Sequence, residues 1–315
     1  MIKLILQRMF LAVLTLIGVC VLVFSVTEAL PGDACTAFLG RDAQGTRLEN
    51  CRQERGLYKP AIERFAEWGG GVLQGDLGRS LKRNKSINKL VGTRMRNTAV
   101  LGLTAAAIGI PLAILLGVLA ALYRDKKTDV TISTSAIFAM TIPEFVTATL
   151  LIYLFAIQLQ WFPAVTTVRH TAPLSDLLPN IILPVITLAF VMMAHILRMV
   201  RSAMIDVMAS DFVQMAKLKG VPYWHIVWFH ALPNAMLPAV NVIALTIAWL
   251  LGGVVIIEQV FNFPGIGTLM IRAIYDRDLP LVQAIALILA AVYIACNLIA
   301  DLCSLALSPR LRTAR

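Results

Sequence analysis

The sequence predicts an all-α fold: a polytopic membrane helix bundle of six transmembrane helices with N and C termini cytoplasmic. Three observations carry this. Of 315 residues, 58% are hydrophobic and only 15% charged, far from a soluble average. Six apolar runs are each long enough to cross about 30 Å of hydrocarbon: Met9–Thr27, Thr98–Tyr123, Val130–Leu159, Asn180–Leu197, Ala239–Ile257 and Leu281–Leu307. All are too long and too aliphatic for barrel strands. Third, basic residues gather where this topology places the cytoplasm: Lys3, Arg8, Arg124, Lys126, Lys127, Arg198, Arg201, Lys217, Lys219, Arg310, Arg312 and Arg315. The two shorter outer loops hold only Arg169, Arg272 and Arg277. The other 13 of 28 basic residues lie in residues 28–97, and loops above about 60 residues translocate largely regardless of charge. The net charge of +10 therefore reads as topology, not as a nucleic-acid surface.

Residues 1–27 supply a cytoplasmic N-terminus and span one. Lys3 and Arg8 ahead of an apolar stretch resemble a signal sequence, but the stretch outlasts a usual h-region, so it is read as a retained span. Residues 28–97 are the one extramembrane subdomain, on the outer side. Pro31-Gly32-Asp33 makes a turn, 47–55 and 60–68 read as helices, and Gly69-Gly70-Gly71 with Gly75-Asp76-Leu77-Gly78 closes it. Cys35 and Cys51 lie in this loop. They are a disulfide if it faces an oxidising compartment, where closing the loop contributes roughly 3 kcal/mol, and otherwise two free thiols. Cys20, Cys296 and Cys303 fall in spans and read as small buried hydrophobes. No CxxC spacing points to metal, and none is expected.

Residues 98–315 form the core, spans two to six. Spans three and six exceed about 20 residues, so they should tilt, kink or lie partly at the interface. In span three Glu144 follows Pro143 and precedes Phe145. An acid at that depth is costly and marks a functional site by default; the plainer reading has Pro143 opening a helix and Glu144 facing a water-filled cavity. If Glu144 lines a pathway, it favours cationic or amine-bearing cargo. His195, in span four, reads as a packing residue. Gly252-Gly253 in span five permits close helix approach or a hinge. Phe261 to Gly267 reads as an outer turn, and Asp301 in span six, with Asn297, as an interhelical polar clamp.

The cytoplasmic segment 198–238 is polar and basic between two apolar runs. Phe212, Met215, Ala216 and Leu218 sit near helical spacing among Asp211, Gln214, Lys217 and Lys219. Gly220 and Pro222 end that helix, and a second short one follows from Tyr223 to Ala231, before Pro233 and Pro238. Helix, glycine turn, helix makes a docking knob. Missing motifs narrow the class. The chain has no GxxxxGK[ST] phosphate loop, HExxH or GxSxG, and no intramembrane pair of carboxylates. A translocation subunit driven by partners fits; the competing reading is an ATPase-independent channel or secondary transporter.

Gln214-Met215-Ala216-Lys217-Leu218-Lys219-Gly220, nine residues, then His230-Ala231-Leu232-Pro233 resembles the EAA loop of bacterial ABC-importer permeases, with Gln, Met and His in place of Glu, Ala and Ile. His230 to Ala235, Leu30 to Asp33, Gly75 to Ser80, Leu251 to Gly253, Glu258 to Gly267, Arg277 to Gln283 and Ser308 to Arg312 resemble the dipeptide/oligopeptide (peptide/nickel) branch. The resemblance implies a type I importer permease in the bacterial inner membrane, with no enzymatic activity and no cofactor of its own. Its implied partners are a second homologous permease, two ATP-binding subunits carrying ATP and Mg, a periplasmic substrate-binding protein and membrane lipid. It also implies that Asp211, Gln214, Met215, Ala216, Lys217, Lys219, Gly220, His230, Leu232 and Pro233 couple the chain to the ATPase. Pro143, Glu144, Phe145, Gly252 and Gly253 are then pathway or gating candidates, and the cargo is a peptide or similar small solute.

Overall fold

The computed structural model describes residues 2–29, 32–54 and 56–307. The elements are α1 (Ile2–Ala29), α2 (Ala34–Leu39), α3 (Gly45–Glu54), α4 (Ala61–Leu73), α5 (Ile87–Leu122), α6 (Lys127–Thr141), α7 (Glu144–Leu151), α8 (Leu174–Leu177), α9 (Ile182–Met208), α10 (Asp211–Leu218), α11 (Tyr223–His225), α12 (Leu232–Val260), α13 (Ile266–Tyr275) and α14 (Leu279–Leu307). No strand occurs among the described residues. Segments within Ile5–Ala29, Ile87–Leu122, Leu174–Met208, Tyr223–Leu250 and Leu279–Leu302 are unbroken helices of membrane length; Lys127–Thr141 and Glu144–Gln158 make a sixth span only as a pair bent by 107°.

α9 is the centre of the bundle. Its Leu188, Met192, Ile196, Val200 and Met204 are fully buried among residues of α5, α6, α7 and α12. The crossing with α5 is close because glycine allows it. A Cβ on Gly117 would stand 2.9 Å from both the Leu197 carbonyl oxygen and Val200 Cβ, and one on Gly109 3.2 Å from Ala189 Cα. Such small-residue contacts hold membrane helices together where lipid removes the hydrophobic drive. α1 sits outside this core. The most apolar window of its span has no buried residue, and it packs chiefly along α14, where Arg8 donates to Asp301 at 2.8 Å. The Asp301 clamp thus draws its partner from span one.

The outer subdomain rests on the ends of α1 and α14. Phe24 of α1 meets Phe65 and Trp68 of α4 with ring centroids 5.2 and 6.0 Å apart, Arg64 pairs with Glu28, and Gln283 bonds Thr27. That anchorage corrects the expected closure at Gly69-Gly70-Gly71: α4 runs through all three glycines to Leu73. Packing on α1 outweighs their poor helix propensity of about 1 kcal/mol each. Cys35 and Cys51 are joined by a disulfide across a sequence separation of 16. Beside it Asp33 caps α2 through the Thr36 N–H at 2.7 Å and accepts from Arg52 Nε at 2.6 Å. Burial opposes ionisation of Asp33, but Thr36 and Arg52 outweigh it and hold the carboxyl below its usual range. Replacing Cys35 and Cys51 with serine should cost roughly 3 kcal/mol of local stability by releasing a loop of this length. Proteolysis of the outer face should then accelerate at residues 34–54 while the spans stay protected.

Two helices extend beyond the apolar runs. The second long helix begins at Ile87 behind Ser86, ahead of the apolar run that starts at Thr98. The inner segment 198–238 is helical at both of its ends, because α9 continues to Met208 and α12 starts at Leu232. Helices outrun apolar runs because water satisfies side chains beyond the bilayer while the backbone ladder persists. Pro233 and Pro238 do not interrupt the chain of helix. Pro233 takes a first-turn position, where no N–H is needed. Leu30, Pro31 and Ser308 to Arg315, hence Arg310, Arg312 and Arg315, lie outside the described residues, as do the side chains of Lys3 and Cys303.

Candidate functional site

The knob at the inner end is built from one short helix and one turn. α10 begins after Ser210, whose extended backbone (ψ 153°) opens it. The Ser210 hydroxyl turns back to Val207 rather than capping. Val213 alone of α10 is buried, and it pins the helix to the bundle. The end is a Schellman motif: Gly220 N–H donates to Lys217 O at 3.0 Å and Val221 N–H to Ala216 O at 3.2 Å. This closure needs a left-handed residue after the cap, and Gly220 has φ +74°. Pro222 then opens α11, which passes through π-helical turns at Ile226–Ala231 into α12. The π-turns stack His225 on Phe229 at 4.7 Å, and Asn234 Nδ2 donates to the His230 carbonyl at 2.7 Å.

Of the coupling candidates, Asp211, Gln214, Met215, Lys217, Lys219 and Gly220 are exposed together on α10 and its turn, with Ala216 half-buried. His230, Leu232 and Pro233 fall at the π-to-α junction behind them, where His230 and Leu232 are half-buried and Pro233 is exposed. Lys217 and Lys219 make no ion pair among the described residues. Three of the apolar side chains at helical spacing point outward: Phe212 is 47%, Met215 54% and Leu218 82% exposed. At spacings of three they form one stripe. Tyr223, Trp224, Trp228 and Phe229 extend it and are also exposed. Sequence reading passed over these four, although aromatic residues beside a polar knob signal an interface.

A buried ion pair stands at the base of the knob. Arg201 of α9 donates to Asp129 of α6 in fork geometry, both contacts 2.6 Å, and Asp129 also accepts from Ser133 at 3.0 Å and from Asp125 N–H at 3.0 Å. Asp129 is only 3% exposed. Paired charges of this kind fix geometry. Arg201, read above as a topological charge, thus locks the inner end of α9 to α6.

At the outer end, Glu258 of α12 is fully buried. It accepts from the Thr98 hydroxyl and from Thr268 N–H at 3.0 Å, while Thr98 Oγ1 accepts from Ile266 N–H at 2.9 Å. Asn97 donates to the His170 and Pro264 carbonyls at 3.1 and 3.0 Å. This network straps α13 to α5 and α12. Asp278, also buried, receives Ser80 and Leu81 of the outer loop. A charge inside an apolar run signals such residues, but their partners are about 160 to 200 positions away in sequence.

The gating candidates divide. Pro143 opens α7 at the break in span three, Glu144 is half-buried and Phe145 is 51% exposed. Gly252 and Gly253 lie in α12, but their surroundings fall outside the described residues. His195 is exposed, not packed.

Residues 113–313 match the family described as binding-protein-dependent transport system inner membrane component, and residues 1–101 match its N-terminal membrane component. Among curated relatives, a Brucella abortus protein provisionally named a peptide transport system permease is 34% identical over 312 residues, 99% of each chain. The oligopeptide transport system permease AppB of Bacillus subtilis is 31% identical over 310 residues, 98% of each.

Proposed function

The chain belongs to the binding-protein-dependent inner-membrane transport permeases, and from that premise we propose that its inner knob is the coupling element through which ATP-binding subunits drive peptide import. The protein is a multi-pass permease subunit of an ABC importer and, as such, is not itself an enzyme. Its work requires partner subunits. In the proposed assembly these are a second permease, two ATPases holding ATP and Mg, and a periplasmic protein that delivers the solute to the outer face.

The observation that carries this reading is the unpartnered stripe Phe212–Met215–Leu218 on a helix rigidly ended at Gly220. An amphipathic helix of that length lays its apolar anchors in a groove, and Lys217 and Lys219 supply polar contacts at the rim. Movement of the groove then acts on α9 through the knob, and the Arg201–Asp129 fork carries α6 with it. ATP-driven closure of the ATPase pair favours the outward-open bundle because that state alone matches the closed groove. In this orientation the N-terminus is cytoplasmic and residues 32–86 face the periplasm, meeting the delivery protein.

A cysteine at Met215 in the full complex tests the reading. It should cross-link to the ATP-binding subunit, with the yield changing on ATP addition. No cross-link, together with uptake that persists when the ATPase subunits are omitted, would overturn it.

A further inference from the structure

Five buried side-chain polar atoms among the described residues lack any hydrogen-bond partner, and two of them share one face of α7: Glu144 Oε2 and Thr147 Oγ1. Residues three apart on a helix are neighbours. They sit just past the elbow of the broken third span, where the helix axis turns by 107°. The 15 residues of α6 set the elbow about 22 Å along the helix axis from the basic boundary at Lys127.

Ordinary structural roles do not account for the pair. Glu144 does not cap α7, because Val146 N–H and Thr147 N–H both go to the Pro143 carbonyl, at 2.9 and 3.1 Å. It forms no ion pair among the described residues. Threonines elsewhere in these spans bond the carbonyl four residues back: Thr141, Thr149, Thr187 and Thr246 do so at 2.7–2.8 Å. For Thr147 that carbonyl belongs to Pro143 and already receives two N–H groups, those of Val146 and Thr147. One oxygen of the half-buried Glu144 carboxyl and the Thr147 hydroxyl are therefore left as buried acceptors, each costly until a donor arrives.

We propose that Glu144 and Thr147 form a transit site for a protonated amine on the cargo. Given the importer reading above, on which this rests, the ligand is a peptide's ammonium group, whose three N–H donors suit two neighbouring acceptors. A metal cation is a poor match, since one carboxylate and one hydroxyl fall far short of the six or more oxygens a hard divalent ion takes. No cluster of three acidic, histidine or cysteine groups occurs among the described residues. The same ammonium chemistry could come from an ethanolamine lipid headgroup, so the test separates the two sources.

The complete transporter in vesicles is presented with a peptide bearing a free amine and with its N-acetylated counterpart, each at a concentration that saturates the delivery protein. Glu144→Gln should lower uptake of the amine-bearing cargo about tenfold, the factor expected for one lost charge-assisted hydrogen bond. Uptake of the acetylated cargo should stay unchanged. Thr147→Val, nearly isosteric, should give a smaller loss confined to the amine, and Thr147→Ser should restore it. Equal losses for both cargoes, or none, would overturn the proposal. So would a Glu144 effect that vanishes in vesicles without ethanolamine lipid, since that assigns the site to the headgroup. Absence of uptake by the unaltered complex would instead indict the importer reading.

Discussion

Gly220→Val should stop ATP-driven uptake while leaving the chain inserted and assembled. Gly220 holds φ +74°, a conformation costing an L-residue roughly 1–2 kcal/mol and a β-branched one more. A Cβ there would meet nothing within 4 Å, so the penalty is backbone strain and not collision. The strain is relieved by opening the paired bonds to Lys217 and Ala216, which frees α10 to rotate about Val213. The stripe of Phe212, Met215 and Leu218 then loses its fixed bearing on Tyr223 and Trp224, and motion of the ATPase groove is spent in the turn. A slack of 2 kcal/mol already corresponds to about thirtyfold in occupancy of the docked state. Gly220→Asn is the informative companion, because asparagine tolerates the left-handed region. It should keep most transport. Uptake in reconstituted vesicles, with insertion checked by protease protection, decides the matter. Valine at wild-type rate, or asparagine as damaging as valine, would exclude a rigid-turn role.

How much of this was legible beforehand follows from what hydropathy measures. Apolar runs report lipid contact, so the spans were found, and Gly220 with Pro222 announced a turn because each has a fixed backbone meaning. Hydropathy does not report where a backbone ladder stops. α9 therefore runs eleven residues past Leu197, and α5 starts eleven before Thr98. The run Val130–Leu159 is apolar enough to read as one span, yet Pro143 breaks it into two helices at 107°. A proline in a span announces a bend but not its angle, which is set by packing against α9 and α12. The exposure of Phe212, Met215 and Leu218 was hidden for a similar reason. Helical spacing says that the three share a face, and only the position of α10, held by Val213, says that the face is unpartnered. Thr98 with Glu258, and Arg201 with Asp129, are long-range pairs for which one sequence carries no local signal.

Gly267→Ala should unseat the outer helix α13 and cost roughly 3 kcal/mol, the upper end for overpacking a tight contact. Gly267 begins α13 directly against α12, and its Cβ would lie 2.7 Å from Val255 Cα. That neighbour is backbone inside a long helix, so it cannot step aside as a side-chain tip could. Moving α13 away instead stretches the Thr268 N–H contact to Glu258 and the Ile266 N–H contact to Thr98, which leaves a buried carboxylate short of donors. The two costs arise together, so the loss exceeds that of one added methyl. Gly265→Ala meets the same network from the other side, its Cβ colliding with the Glu258 carboxylate, and should be nearly as harmful. Gly69→Ala is the control. It lies within α4 with nothing in reach of a Cβ, and alanine there should be neutral or stabilising by up to about 1 kcal/mol. Thermal unfolding of the purified complex, with protease cleavage mapped to residues 266–275, distinguishes them. If Gly267→Ala melts with the parent and α13 stays protected, the Glu258 strap does not hold the outer face.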